Sequence, residues 1–154
     1  MSHAHMQSIP DSARIAIVED DDAIRTLLED LLESEGYRCL AGASLDSGLE
    51  LIERQQPDLL ILDVVLGGRA TGWILLDQLV RNPHTAAIPV IVCTADTLAL
   101  LDQQAVLRER GIHWLTKPFD VLELLHLVKD SLRPVSPTAD SDGRGVESTF
   151  VSSE

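Results

Sequence analysis

Five short apolar runs alternate along the chain with five longer stretches in which apolar residues recur every three or four positions. The runs are Arg14–Val18, Arg38–Ala43, Asp58–Asp63, Pro89–Thr94 and His113–Thr116. Short runs without polar alternation predict strands covered on both faces, as inside a parallel sheet. The longer stretches predict helices. The first starts near Ile24, with Leu27, Leu28, Leu31 and Leu32 on one face, Asp21 or Asp22 as its cap and Gly36 as its stop. Ser44 caps the second, which carries Leu45, Leu49 and Ile52 and stops at Pro57. The third runs from about Trp73 to Val80 and closes at Asn82-Pro83. The fourth covers Leu98 to Arg110 and stops at Gly111, and Asp120 caps the fifth, with Val121, Leu124, Leu125, Val128 and Leu132.

Strict strand–helix alternation predicts an α/β fold: a doubly wound, five-stranded parallel sheet with helices on both faces and right-handed crossovers. In the order 2-1-3-4-5, strands one and three lie side by side where the winding reverses, and the loops at their carboxyl ends meet. Those loops carry Glu19, Asp20 and Asp63.

Composition bounds what such a site can do. The 154 residues suit one domain with tails, and a 45% hydrophobic fraction with 3% aromatics makes the core aliphatic. A net charge of −13 argues against direct nucleic-acid binding and leaves carboxylates free to gather around a cation. No apolar run has the length of a membrane span and no signal segment opens the chain, so a cytoplasmic protein without membrane contact is expected. Cys39 and Cys93 lack metal spacing and read as buried free thiols. Residues 1–12, with His3 and His5, read as a flexible leader. Residues 134–154, where Asp140, Asp142, Glu147 and Glu154 face Arg144 alone, read as a disordered acidic tail.

Each polar residue at a strand end has a plain structural explanation. Asp63 can simply stop a strand, Glu19 to Asp22 can cap a helix, Thr94 can satisfy backbone, and Lys117-Pro118 can be a solvated loop. Their joint placement after strands one, three, four and five points further. Three carboxylates in one crevice repel unless cations compensate them, and a hard, oxygen-rich pocket suits Mg²⁺ completed by a phosphoryl oxygen. Lys117 adds a fixed positive charge and Thr94 a hydroxyl donor, as a site that holds a phosphoryl group on or beside Asp63 requires.

The segments Ile17-Val18-Glu19-Asp20-Asp21, Leu59-Leu60-Ile61-Leu62-Asp63, Val92-Cys93-Thr94-Ala95 and Lys117-Pro118-Phe119 resemble the receiver domain of two-component response regulators, over roughly Arg14 to Leu132. The resemblance implies a flavodoxin-like domain over residues 13–133 that accepts a phosphoryl group onto Asp63 from a sensor histidine kinase or a histidine phosphotransfer protein. It further implies Mg²⁺ held by Glu19, Asp20, Asp63 and the backbone carbonyl of Val65, with phosphoryl contacts from Thr94 and Lys117. Trp114 matches the family's switch aromatic, although a partly buried core ring explains it equally well. Output through helix four, strand five and helix five, to a protein partner or a second copy, follows from the same resemblance. The run Leu98-Ala99-Leu100-Leu101, apolar nearly all round its helix, fits such a surface.

The chain departs from the family pattern beside Asp63. Gly67 stands near a customary proline, and Gly72 follows Asp63 by nine residues instead of eight, so Leu66 to Thr71 carries one extra residue. Val65 stands where a polar residue often orients attacking water, and Asp96 stands two past Thr94; slow self-dephosphorylation is expected. A haloacid-dehalogenase-like phosphatase would need its nucleophile on the first strand and an aspartate at Val65. A dinucleotide-binding protein would need a glycine-rich first turn. A phosphorelay intermediate and a non-phosphorylated dimerisation module stay open as alternatives within the receiver reading.

Overall fold

The structure, a computed structural model, describes residues 12–133. The remainder of the expected leader, and the whole expected tail, lie outside the described residues. The elements alternate as β1 (Arg14–Val18), α1 (Asp22–Ser34), β2 (Arg38–Gly42), α2 (Leu45–Gln55), β3 (Leu59–Leu62), α3 (Gly72–Arg81), β4 (Val90–Thr94), α4 (Thr97–Glu109), β5 (His113–Thr116) and α5 (Val121–Leu132). The sheet has the order β2-β1-β3-β4-β5, and every neighbouring pair is parallel.

Residues along each strand point alternately to opposite faces, and the sequence fills both faces with aliphatic side chains. Ala16, Val18, Leu60, Leu62, Val90 and Val92 pack with Ile52 of α2, Leu75 and Leu79 of α3, and Leu100 and Leu107 of α4. Ile15, Ile17, Leu59, Ile61, Ile91 and Cys93 take the other face, against Leu28 and Leu32 of α1 and Leu124 and Val128 of α5. Such two-sided burial is why the strands read as continuous apolar runs. Cys39 and Cys93 are free thiols, and burial pushes both up to about 12, so they stay protonated at neutral pH.

The helix caps follow the short polar residues at the element boundaries. Asp21, not Asp22, caps α1 by accepting from the Ile24 N–H at 3.1 Å. Ser44 and Ser47 cap α2 reciprocally. Asp120 caps α5. Gly36 follows the α1 cap residue at φ +96°, a conformation that favours glycine. β2 ends at Gly42, one residue short of the expected Ala43.

The helix expected from Trp73 begins instead at Gly72, because the chain passes over its own backbone there. A Cβ on Gly72 would lie 2.3 Å from the Val64 Cα, and the Gly72 N–H donates to the Val64 carbonyl at 2.9 Å. Backbone cannot retreat as a flexible side chain can. Gly72→Ala is therefore expected to destabilise the fold by about 3 kcal/mol, the upper range for overpacking. A urea titration checks this, and an unchanged midpoint would refute the close approach.

Candidate functional site

The sheet order brings the strand-end residues together. Val18 and Leu62 are register partners, so the next residues, Glu19 and Asp63, leave adjacent strands side by side. The Asp63 N–H donates to the Val18 carbonyl at 2.9 Å and the Glu19 N–H to the Gly42 carbonyl at 3.0 Å, continuing the ladder to the rim. At the end of β5, the Lys117 N–H donates to the Thr94 carbonyl at 2.9 Å. This anchors the loop from which the lysine reaches back across the sheet edge.

Lys117 Nζ lies 2.6 Å from Glu19 Oε1 and 2.8 Å from Asp63 Oδ2. The carboxylate side chains are 4% and 8% exposed and the lysine 15%, so the pairing takes place largely out of water. Each carboxylate uses its second oxygen on backbone: Asp63 Oδ1 accepts from Val65 at 2.9 Å, and Glu19 Oε2 from Asp21 at 3.1 Å. Burial raises the Glu19 carboxyl above its usual range and prevails over the lysine's opposing pull. Burial also works against the Lys117 charge, but its hydrogen bonds to Asp63 and Glu19 outweigh it and raise the ammonium above its ordinary value.

Asp20 is exposed and completes the acidic group; one carboxylate oxygen from each of Glu19, Asp20 and Asp63 lies within 4.8 Å of the others. Val65, Asp96 and Lys117 line the same cleft of about 570 Å³. These hard oxygen donors around an open volume fit Mg²⁺, which binds few carboxylates and keeps several waters. One ammonium stands against the five carboxylates that line the cleft, those of Glu19, Asp20, Asp21, Asp63 and Asp96, so a cation would relieve a real surplus of negative charge.

Of the other expected site residues, Asp96 lines the cleft, whereas Thr94 and Trp114 do not. Thr94 is fully buried at the end of β4, and its Oγ1 accepts from the Asp96 N–H at 3.1 Å. Asp96 caps α4, with Oδ1 accepting from Ala99 at 3.1 Å, so that oxygen is already engaged. Trp114 borders a separate groove between α4 and α5, half-buried, with the Arg108 guanidinium 5.7 Å from its ring centroid. The stacking of Arg108 on Trp114 went unread in the sequence, since nothing in the spacing of a helix residue and a strand residue signals it.

The loop beside Asp63 takes up its extra residue as a miniature hairpin. Leu66 and Arg69 exchange backbone hydrogen bonds of 2.8 and 3.1 Å, with Gly67 and Gly68 between them at φ +63° and +75°. Positive φ at both central residues is the mark of the type I′ turn, and the Gly-Gly pair was its sequence signal. The Gly67 N–H then donates to Asp20 Oδ2 at 2.8 Å.

Removing the bridging charge would strand two carboxylates in a poorly hydrated site. Lys117→Met is expected to cost about 3 kcal/mol of stability near neutral pH, as for other broken buried pairs. With the lysine gone the folded state binds protons more readily than the unfolded chain, so the loss shrinks as pH falls. Denaturant melts at several pH values test both, and a pH-independent loss would disprove the charge origin.

Three comparisons place this geometry among known proteins. Residues 15–129 match the model of the response regulator receiver domain. The chain is 37% identical over 121 residues to the DNA-binding dual master transcriptional regulator RpaA of Synechocystis, covering 78% of this chain but 49% of that one. The structure of a response regulator from Chloroflexus aurantiacus superposes with a TM-score of 0.69 at 33% identity, covering 79% of this chain and 98% of the other. The receiver domain of a sensor histidine kinase from Pseudomonas aeruginosa, with magnesium coordinated in its active-site cleft, gives 0.64 at 26% identity, covering 79% and 98%. With its 2-1-3-4-5 sheet and the matched span, the chain belongs to the response regulator receiver domain family of two-component signalling.

Proposed function

We propose that Asp63 accepts a phosphoryl group from a phosphohistidine on a sensor kinase or a histidine phosphotransfer protein, and that the added charge switches a protein-interaction surface. The observation that carries this reading is the Lys117 ammonium lying between Glu19 and Asp63 at the rim of the cleft. A carboxylate ionised at neutral pH attacks phosphorus without a general base. The nitrogen–phosphorus bond of the donor breaks and its electron pair returns to the imidazole. The new bond joins phosphorus to a carboxylate oxygen of Asp63, giving an acyl phosphate.

Glu19 and Asp20 would hold Mg²⁺, with Asp20 the direct ligand of the two, while Asp63 would contribute a carboxylate oxygen and Val65 its backbone carbonyl. Mg²⁺ bound there neutralises charge on the phosphoryl oxygens. Lys117, already at the Asp63 carboxylate, would transfer a hydrogen bond to a phosphoryl oxygen. Thr94 would exchange its bond from the Asp96 N–H for one to the phosphoryl group, and Trp114 would turn into the space it leaves.

The output surface is the α4–β5–α5 face. Leu98, Leu101 and Leu122 are exposed there, which suits a protein partner or a second copy. Among the described residues no helix is long and apolar enough to cross a membrane, and a cytoplasmic site of action fits the proposed donor. The net charge of −13 speaks against nucleic-acid binding by these 154 residues alone. That expectation has no support from the relatives, because the Synechocystis regulator, of which the chain spans about half, is a DNA-binding one.

Incubation with acetyl phosphate and Mg²⁺ is expected to add one phosphoryl mass to the intact chain, and Asp63→Asn or removal of the cation to abolish it. No addition would favour the non-phosphorylated dimerisation module, which size-exclusion chromatography would then test. Val65 offers no hydrogen bond to attacking water, and Asp96 has one oxygen committed to the α4 cap. The acyl phosphate is therefore expected to last minutes or longer, and Val65→Asn to shorten its life about tenfold, the worth of one oriented hydrogen bond. A half-life of seconds in the unaltered chain would refute this.

A further inference from the structure

The extra residue after Asp63 gives the cleft a feature that the charge cluster alone does not explain. Both ends of the Leu66–Arg69 hairpin continue into fixed structure. Leu66 is buried in the core, and Gly72, three residues past Arg69, lies against the backbone of Val64. The hairpin between is closed by two backbone hydrogen bonds and turned by two glycines at positive φ. A Cβ on either glycine would meet nothing within 4 Å, so what is special at these positions is backbone conformation and not packing. Gly67 presents its N–H to Asp20 Oδ2 from across the cleft, 47 residues away in sequence.

Asp20 needs such a partner more than its neighbours do. Glu19 and Asp63 are buried and share Lys117, whereas Asp20 is exposed and, among the described residues, forms no ion pair within 4.0 Å. An exposed carboxylate that must serve a cation demanding near-ideal octahedral geometry loses affinity to its own rotamer freedom. The hydrogen bond from Gly67 occupies Oδ2 and leaves Oδ1 for a cation, which is how partners behind a metal ligand fix its orientation.

We propose that the Leu66–Arg69 hairpin is a preformed brace for Asp20: the Gly67 amide is a positioning group that sets the cation affinity of the cleft. The proposal rests on the reading that the cleft takes Mg²⁺. A brace of this kind acts before any phosphoryl group arrives. Its effect therefore shows in cation binding by the unphosphorylated chain.

The test is titration of the full chain with MgCl₂, followed by calorimetry. Deleting Gly68 leaves too few residues for the two-residue turn and is expected to weaken Mg²⁺ binding by about 10- to 100-fold, the usual effect of losing a partner behind a metal ligand. Gly111→Ala is the matched control: Gly111 also has positive φ (+73°) and open space for a Cβ, but lies at the end of α4, so it carries similar strain and should leave the affinity within about twofold. If the deletion does not fold, Gly68→Ala strains the same turn and should weaken binding more than Gly111→Ala does. Amide hydrogen exchange supplies a readout without metal: the Gly67 amide should be protected in the intact chain and lose protection in Asp20→Ala. An affinity unchanged by the hairpin variants, or a Gly67 amide that exchanges freely, would overturn the brace while leaving the Mg²⁺ reading intact. Failure of the unaltered chain to bind Mg²⁺ would overturn that reading and the brace with it.

Discussion

A half-buried ammonium between two carboxylates is what allows this sheet to end in charge. Glu19 and Asp63 leave neighbouring strands with almost no exposure, and two like charges about 4 Å apart near a protein surface repel by about 4 kcal/mol. Lys117 converts that repulsion into two short charge-assisted hydrogen bonds. It can do so only because β5 lies at the sheet edge and its final residue is followed by a loop tied to the Thr94 carbonyl. The strand between, β4, ends at Thr94 and is followed by Ala95, small residues over which a four-carbon stem can pass. The chemistry of the cleft thus depends on the strand order before it depends on any single residue.

The aliphatic core serves the same end. Each inner strand gives alternate residues to two separate clusters, so that neither face of the sheet can slip by one residue without exposing a whole row. Register fixed in this way carries to the rim, where Glu19 and Asp63 meet one residue beyond the Val18–Leu62 pair. A site assembled from four loops is held in place chiefly by β1, β3 and β4, which are buried almost throughout, while β5 is fixed at the edge by its pairing with β4.

Much of this was legible in the sequence for physical reasons. Buried strands read as apolar runs, helices as three- and four-residue periodicity, and Asp21 or Asp22, Ser44 and Asp120 as caps because short polar side chains have few other uses before a helix. Glu19, Asp20, Asp63 and Lys117 could be grouped because the topology rule predicts which strand ends meet. What escaped was set by approach in space. The start of α3 at Gly72 follows from contact with Val64, the cap formed by Asp96 from the path of α4, and the Arg108–Trp114 stack from the packing of α4 on β5. The Gly67-Gly68 pair was visible as an insertion, but its bond to Asp20 spans the cleft between residues 47 positions apart, which local sequence does not signal.

The arrangement of α4 explains how a change of charge in the cleft could be felt at the far side of the domain. Of its thirteen residues, Leu100 and Leu107 are the buried ones, while Leu98 and Leu101 face solvent, so its hold on the core is narrow. Polar contacts fasten its two ends instead. At the start, the Thr94 hydroxyl accepts from Asp96, the residue that caps the helix. At the finish, Arg108 stacks on Trp114. Thr94 ends β4 just before Ala95 and Asp96, which line the cleft, and Trp114 lies beside the α4–α5 groove, so the helix connects the two regions by its ends. An element held by a few polar contacts and two leucines has a lower cost of displacement than the doubly buried strands beside it. Under the proposed phosphorylation of Asp63, turning the Thr94 hydroxyl toward the added charge would give up its bond from the cap residue Asp96, and the entrance of α4 would then be the point where cleft chemistry and surface shape meet.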